Sequence, residues 1–283
     1  MYAVTGATGQ LGRHVLDILL QSIPPGQVVA LARDPARLSE YAARGVAVRP
    51  FDYDAPQTLA PALEGVDRLL LISANEVGRR APQHRAVIEA AKAAGVGFIA
   101  YTSLLRADVS PLNLTAEHRV TEADLAASGL AHAVLRNGWY TENYVQSAPA
   151  ALAHGALLGS ARDGAISGAS REDYAAAAVA VLTAQAPETK TYELAGDEAF
   201  TLAQFADALS QIAGKPVVYR DLPQDEYRAA LEAAGLPAGF ADLLAESDAK
   251  AAGGALFDDS RALSALIGRP TTPFRETLAA ALA

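Results

Sequence analysis

Seven consecutive residues near the start of the chain, Gly6-Ala7-Thr8-Gly9-Gln10-Leu11-Gly12, have the spacing of a loop that holds a pyrophosphate. They follow the strand-like Tyr2-Ala3-Val4 directly and open a helix, so backbone amides and the positive end of a helix dipole converge on one place. The glycines have separable tasks. Gly6 permits the tight turn, Gly9 lets backbone come close to phosphate, and Gly12 lets the helix pack against the strand. A Gly-rich turn without a ligand is the alternative, but the strand–turn–helix context favours a dinucleotide site.

The second strand ends Ala30-Leu31-Ala32-Arg33, where a fold that prefers NAD presents a carboxylate to the ribose hydroxyls. A guanidinium at that position suits a 2′-phosphate through charge-assisted hydrogen bonds, so NADPH is the expected cofactor. The competing reading of Arg33 is a solvated surface cation at a strand end. Asp52, just past the third strand, is placed to meet an adenine edge or to cap a helix.

The proton chemistry is conspicuous by what is missing. Many carbonyl reductases on this fold pair a Tyr with a Lys one helical turn later, which lowers the phenol pKa and holds the ribose. None of the ten tyrosines has a lysine four residues on, and the only lysines are Lys92, Lys190, Lys215 and Lys250. Either the chain binds cofactor without turnover, or its substrate accepts hydride without a strong acid. A quinone fits the second case, because the charge on its hydroquinone anion is delocalised and water can protonate it later. Positioning then carries the catalysis, in a flat apolar slot with few polar groups. Arg136-Asn137-Gly138-Trp139-Tyr140-Thr141-Glu142-Asn143-Tyr144 is the candidate slot: it gathers the only Trp, two Tyr and two Asn after the sixth strand. Asn137, Gly138, Trp139, Tyr140 and Asn143 are taken as its cofactor contacts, whereas packing is the favoured role for Tyr144. Ser73 and Asn75 after the fourth strand, and Thr102 and Ser103 after the fifth, line the same crevice or cap helices. His118 beside Glu117, and Tyr140, are the outside candidates for a proton donor, although a structural histidine is the commoner outcome.

These residues require an element order that brings strand ends together. Short apolar runs at Tyr2 to Gly6, Val28 to Ala32, Val46 to Val48, Arg68 to Ser73, Phe98 to Thr102 and Ala131 to Leu135 alternate with helix-period segments such as Arg80 to Ala94. That pattern predicts an α/β fold: a doubly wound parallel sheet, Rossmann-like, with its ligand crevice at the carboxyl ends of the strands. An NADP-binding domain is expected over residues 1–150 and a smaller mixed α/β lobe on the substrate side over 151–283, with the chain free to cross between them. In that lobe Ser170 is the expected N-cap of an Ala-rich helix reaching about Ala184.

With 283 residues, half of them hydrophobic, the chain has ample material for a folded core. A formal charge of −9 disfavours nucleic acid as a partner, since phosphate backbones need clustered cations. The absence of cysteine excludes disulfides, thiolate nucleophiles and Cys-ligated metal, and the five scattered histidines make no ligand pair, so no metal is expected. No run approaches the roughly 20 apolar residues of a membrane span, and Met1 leads straight into a strand without a basic leader, so the cytoplasm is the expected compartment. Assembly into a homo-oligomer stays open.

Beyond these motifs, Val4-Thr5-Gly6 through Gly12, Leu70-Leu71-Ile72-Ser73, Pro82-Gln83-His84-Arg85, Ala100-Tyr101-Thr102-Ser103 and Leu135-Arg136-Asn137-Gly138-Trp139-Tyr140 resemble the NmrA-like atypical short-chain dehydrogenases, and within them the branch that reduces quinones with NADPH. The similarity continues through Tyr192-Glu193-Leu194-Ala195-Gly196-Asp197 and Leu256-Phe257-Asp258-Asp259-Ser260, so it spans nearly the whole chain. The resemblance implies NADPH on the glycine loop and Arg33, a nicotinamide site near Asn137 to Asn143, quinone reduction without flavin, and no Tyr–Lys pair. Other members of the group reduce aromatic dyes or conjugated acceptors, and some are regulators that sense dinucleotide without turnover.

Overall fold

The computed structural model describes residues 1–283. The chain forms two compact units, the first made of Met1–Asp108, Ala116–Asn137 and Arg171–Glu193, the second of Val109–Thr115, Gly138–Ser170 and Leu194–Ala283.

The first unit is built on parallel strands. β1 (Tyr2–Val4) lies between β2 (Val28–Ala32) and β4 (Arg68–Leu71), paired in parallel with both. β3 (Ala47–Pro50) pairs outside β2, while β5 (Phe98–Leu104) and β6 (Ala131–Asn137) extend the sheet beyond β4. The strand Lys190–Leu194 completes an order of seven as its edge beyond β6. Since β3 and β2 step one way from β1 and β4, β5 and β6 step the other, the winding reverses between β1 and β4, which opens a crevice at their carboxyl ends. Every residue of β2 and β5 is buried, as strands covered on both faces must be. On one face Val87, Ile88 and Ala91 of the helix Arg80–Ala93 pack on Ala3, Val29, Leu31, Leu69, Leu71 and Ile99. Each Leu, Ile or Val so buried contributes about 1.5–3 kcal/mol.

On the other face α1 (Gln10–Leu19) buries Leu11, Val15, Leu16 and Leu19 and packs against the helix Arg171–Thr183. The small side chains of Ala175, Ala177 and Ala178 on that helix favour a close approach. The units divide elsewhere than at residue 150, and the chain crosses between them as that expectation allowed. The first unit gives up the chain after Asn137 and takes it back at Arg171, because the Arg171–Thr183 helix finds its apolar partner on α1.

The second unit holds a two-stranded parallel ladder, Ala156–Gly159 with Val218–Asp221. Tyr144, Phe200, Phe205 and Phe274 form its aromatic centre, with the Phe200 and Phe274 rings 4.5 Å apart. Its helix Leu202–Ala213 starts on a capping box, the Thr201 side chain accepting from the Gln204 amide and the Gln204 side chain from the Thr201 amide. No helix of the chain is long and apolar enough to cross a membrane.

Candidate functional site

At the reversal of the winding order, a cavity of about 340 Å³ opens where four strands end. Gly6, Thr8 and Gly9 supply one wall, Leu31 to Arg33 and Arg37 a second, Phe51 to Asp54 a third, and Ile72 to Glu76 with Gln83 the floor.

The glycine loop has the form its sequence requires. Gly6 has φ +59°, the left-handed region where a side chain is strained. At Gly12 a Cβ would stand 2.4 Å from the Gly6 carbonyl oxygen and 2.8 Å from Ala7 Cα, so the helix start can seat on the turn only without a side chain there. That close approach is to the turn itself rather than to the strand body. At Gly9 a Cβ would come 3.2 Å from the same oxygen, a milder constraint. Ala7 is buried with its amide donating to the Leu31 carbonyl at 3.2 Å, and Leu11 packs into the core, so these two shape the loop from behind. Gly9 is the N-cap of α1 and carries no side chain to accept from the first-turn amides of Gln10, Leu11 and Gly12, which are left for an outside anion. An unpartnered helix start that seats on the turn only because Gly12 carries no side chain fits a pyrophosphate.

The floor is held by three consecutive backbone amides. Ile72 N–H donates to Thr5 Oγ1 at 2.9 Å, Ser73 N–H to Thr102 Oγ1 at 2.8 Å, and Ala74 N–H to His84 Nε2 at 2.9 Å. Because Nε2 accepts, the proton of His84 sits on Nδ1 and points to Thr121 Oγ1, 2.9 Å away. Burial pushes the His84 pKa down to about 3, with the Arg80 cation adding to the effect, so the ring stays neutral. The Tyr53 hydroxyl donates to the Ile72 carbonyl at 3.1 Å, and its own pKa is driven up by burial. Beyond the floor, Glu117 accepts from the amides of Gly78 (2.8 Å) and Arg80 (2.9 Å), pinning the entry of the helix Arg80–Ala93.

At the end of β2, Arg33 is well exposed and its Nη1 lies 3.1 Å from Glu76 Oε1. Glu76 also receives Arg79 at 3.0 Å, and Asp54 receives Arg79 at 2.8 Å and Gln83 at 3.0 Å. Asp52 lines the cavity and accepts from the Asp54 amide at 3.0 Å, so the local turn occupies one of its oxygens. Ser73 and Asn75 also line the cavity. Arg37, Tyr53, Asp54 and Glu76 carry no expectation from the sequence, and Gln83 entered only through the family resemblance. Arg37 alone carried a signal, a second cation four residues after Arg33 in the turn that follows β2.

His118 does not serve the cavity. It is 3 % exposed, its Nδ1 is 2.7 Å from the Tyr101 hydroxyl, its Nε2 faces Arg80 Nη1 at 3.5 Å, and burial lowers its pKa to about 3. A ring that stays neutral at neutral pH, with its single N–H and its acceptor nitrogen both engaged inside the core, is a core histidine, which speaks against its candidacy as proton donor. Arg136, first in the expected slot, is likewise spoken for: Glu122 grips it with two bonds of 3.0 and 2.7 Å, Asp108 takes it at 2.9 Å and Glu193 at 2.8 Å. Asn137 closes β6, accepts the Leu105 amide at 2.9 Å through its backbone, and keeps a buried Oδ1 with no hydrogen-bond partner.

Gly138, Trp139, Tyr140 and Asn143 belong to the second unit. The Gly138 amide donates to the Leu194 carbonyl at 2.7 Å, and Tyr140 bridges to Ala169, with Thr141 N–H donating to Ala169 O at 3.0 Å and Ala169 N–H to Trp139 O at 3.1 Å. Trp139 is buried and Tyr140 and Asn143 are half-buried. Tyr144 has the packing role expected of it, sealed in the aromatic centre with its hydroxyl donating to the buried Asp248 at 2.8 Å.

Comparison with known proteins agrees with this geometry. The NAD(P)H-binding family model matches residues 6–185. The chain is 56 % identical to quinone oxidoreductase 2 of Escherichia coli K12 over 98 % of its length and 97 % of that protein, and 32 % identical to an NmrA-like family domain-containing oxidoreductase of Aspergillus flavus over 98 % and 93 %. The crystal structure of the E. coli NADPH-dependent quinone oxidoreductase with NADPH superposes with a TM-score of 0.97 at 55 % identity, covering 100 % of both chains. The Citrobacter triphenylmethane reductase with NADP(H) does so at 0.95 and 36 %, covering 99 % and 100 %. Family model, end-to-end relatives and the pyrophosphate-shaped loop agree: the chain belongs to the NAD(P)H-binding family, in the NmrA-like group of atypical short-chain dehydrogenases.

Proposed function

We propose that this chain reduces quinones with NADPH, without flavin or metal. The observation that carries the reading is a cavity at the reversal of the sheet with the glycine turn at one end and Arg33 at the other, in a chain alike end to end with an NADPH-dependent quinone oxidoreductase. The first-turn amides of α1 would hold the pyrophosphate, with Thr8 beside them, and Arg33 would take the 2′-phosphate. Asp52, Ser73 and Asn75 would bound the adenosine half. Asn137, Gly138, Trp139, Tyr140 and Asn143 stay assigned to the nicotinamide end, where the unpartnered Asn137 Oδ1 offers an acceptor for an amide donor.

Bound NADPH supplies a hydride, and the protein's part is to hold acceptor and donor in line and keep water from the interval. With His118 sealed in the core and no histidine among the residues lining the cavity, the reading assigns no side chain as an essential acid. Hydride transfer leaves the hydroquinone anion, and a proton from solvent then completes the hydroquinone. We also place the reaction in the cytoplasm, with the quinone as the partner that matters.

Stopped-flow loss of reduced-nicotinamide absorbance, with benzoquinones and naphthoquinones and no added flavin, tests this. Saturable oxidation well above the uncatalysed rate supports it. Tight NADPH binding without oxidation across the panel would replace it with a dinucleotide sensor.

A further inference from the structure

We propose that Glu76 is an exchangeable counter-ion that tunes the choice between dinucleotides with and without a 2′-phosphate, an inference that rests on NADPH occupying the cavity described above. The Arg33 guanidinium already has a protein partner: Glu76 Oε1 holds it at 3.1 Å. The other oxygen of that carboxylate has partners of its own, Arg79 Nη1 at 3.0 Å and Gln83 Nε2 at 3.3 Å. Arg79 and Gln83 are in turn steadied by Asp54, at 2.8 and 3.0 Å.

The division of labour between the two oxygens is the point. A phosphate that takes Arg33 leaves Glu76 with a cation and an amide still bonded, so the exchange strands no charge. A phosphate must nevertheless displace a carboxylate to bind, and a nucleotide without one makes no such demand. The cavity lining carries two cations, Arg33 and Arg37, against three carboxylates, Asp52, Asp54 and Glu76, and Arg79 behind it bonds Asp54 and Glu76, so each anion near Arg33 is already engaged with a cation or amide. Glu76 therefore lowers the affinity for NADP(H) selectively, and Arg79 softens that penalty by holding Glu76 back.

The test is calorimetric titration of the full-length protein with NADP⁺ and NAD⁺, oxidised forms that cannot turn over. Glu76→Gln, which keeps the shape and removes the charge, should tighten NADP⁺ about two- to fivefold, the factor that one partly exposed ion pair represents, and leave NAD⁺ unchanged. Arg79→Gln should weaken NADP⁺ by a similar factor, and the loss should vanish when Glu76→Gln is also present. Equal shifts for both nucleotides in Glu76→Gln, or an Arg79→Gln loss of the same size in both backgrounds, would overturn the exchange. A wild-type protein that binds neither nucleotide would overturn the functional reading itself. Should Glu76→Gln unfold, Glu76→Ala carries the same expectation.

Discussion

At the scale of single residues, two positions carry most of the cofactor argument and fail in different ways when altered. Gly12 has no room: a Cβ meets the Gly6 carbonyl oxygen at 2.4 Å, and both atoms are backbone. Gly12→Ala must therefore lift the start of α1 off the turn, at a cost of about 1–3 kcal/mol of the overpacking kind. Thermal unfolding should register that loss, and NADPH affinity should fall with it as the first-turn amides move. Arg33 has room but a specific charge task. Arg33→Asp sets a second carboxylate beside Glu76 and before the 2′-phosphate, so NADPH binding should weaken by about 2–4 kcal/mol while NADH binding changes little. Unchanged NADPH affinity would remove Arg33 from the site. Both positions could be read from the sequence because their tasks are local, fixed by spacing along one strand–turn–helix unit. Glu76, Asp54, Arg79 and Gln83 could not, because they meet only when the crossovers after β3 and β4 come side by side, and no spacing encodes that.

At the scale of elements, the sheet depends on an ion cluster near its far edge. Arg136 on β6 ties together Glu122 of the helix Thr115–Ser128, Glu193 of the edge strand and Asp108 after β5, and is itself nearly buried. Hydrogen bonding to Glu122 is the main cause that raises its pKa above the ordinary arginine value. Arg136→Met leaves Glu122, only 14 % exposed, without its cation, and such a half-broken pair costs about 3–5 kcal/mol. Chemical denaturation should show a lower midpoint, and Arg136→Met with Glu122→Leu should recover much of it, since a buried ion pair replaced by apolar side chains is often neutral. The sequence placed Arg136 in a substrate slot because it neighbours Asn137, but alternate residues of a strand face opposite ways. A similar limit hid the boundary between units. The helix Arg171–Thr183 is buried on most of its surface, so its pattern announces a buried helix without naming the partner, and α1 became that partner only through the fold.

At the scale of the whole molecule, the two units should answer acid in opposite directions. In the first, His84 and His118 have folded pKa values near 3 against about 6.5 in an unfolded chain, so the unfolded state binds protons that the folded state refuses. Their contribution is complete above pH 6.5 and drains away as pH falls toward 3. Between pH 6.5 and 5 each histidine costs about 2 kcal/mol of stability. In the second unit, burial lifts Asp248 to about 6 despite the Tyr144 hydroxyl and the Ser160 amide that stabilise its charge. Here the folded state binds the extra proton, so the contribution is complete below about pH 4 and is lost as pH rises through 6; going from pH 7 to 5 returns about 1 kcal/mol. Hydrogen exchange resolved by residue, at pH 7 and pH 5 after correction for intrinsic rates, should show β1, β4 and β5 losing protection while residues around Ser160 and Tyr144 hold or gain it. Asp248→Asn should abolish that gain and leave the first unit's response intact. A uniform loss in both units would mean that Asp248 is already protonated at pH 7 or that its burial is relieved by water.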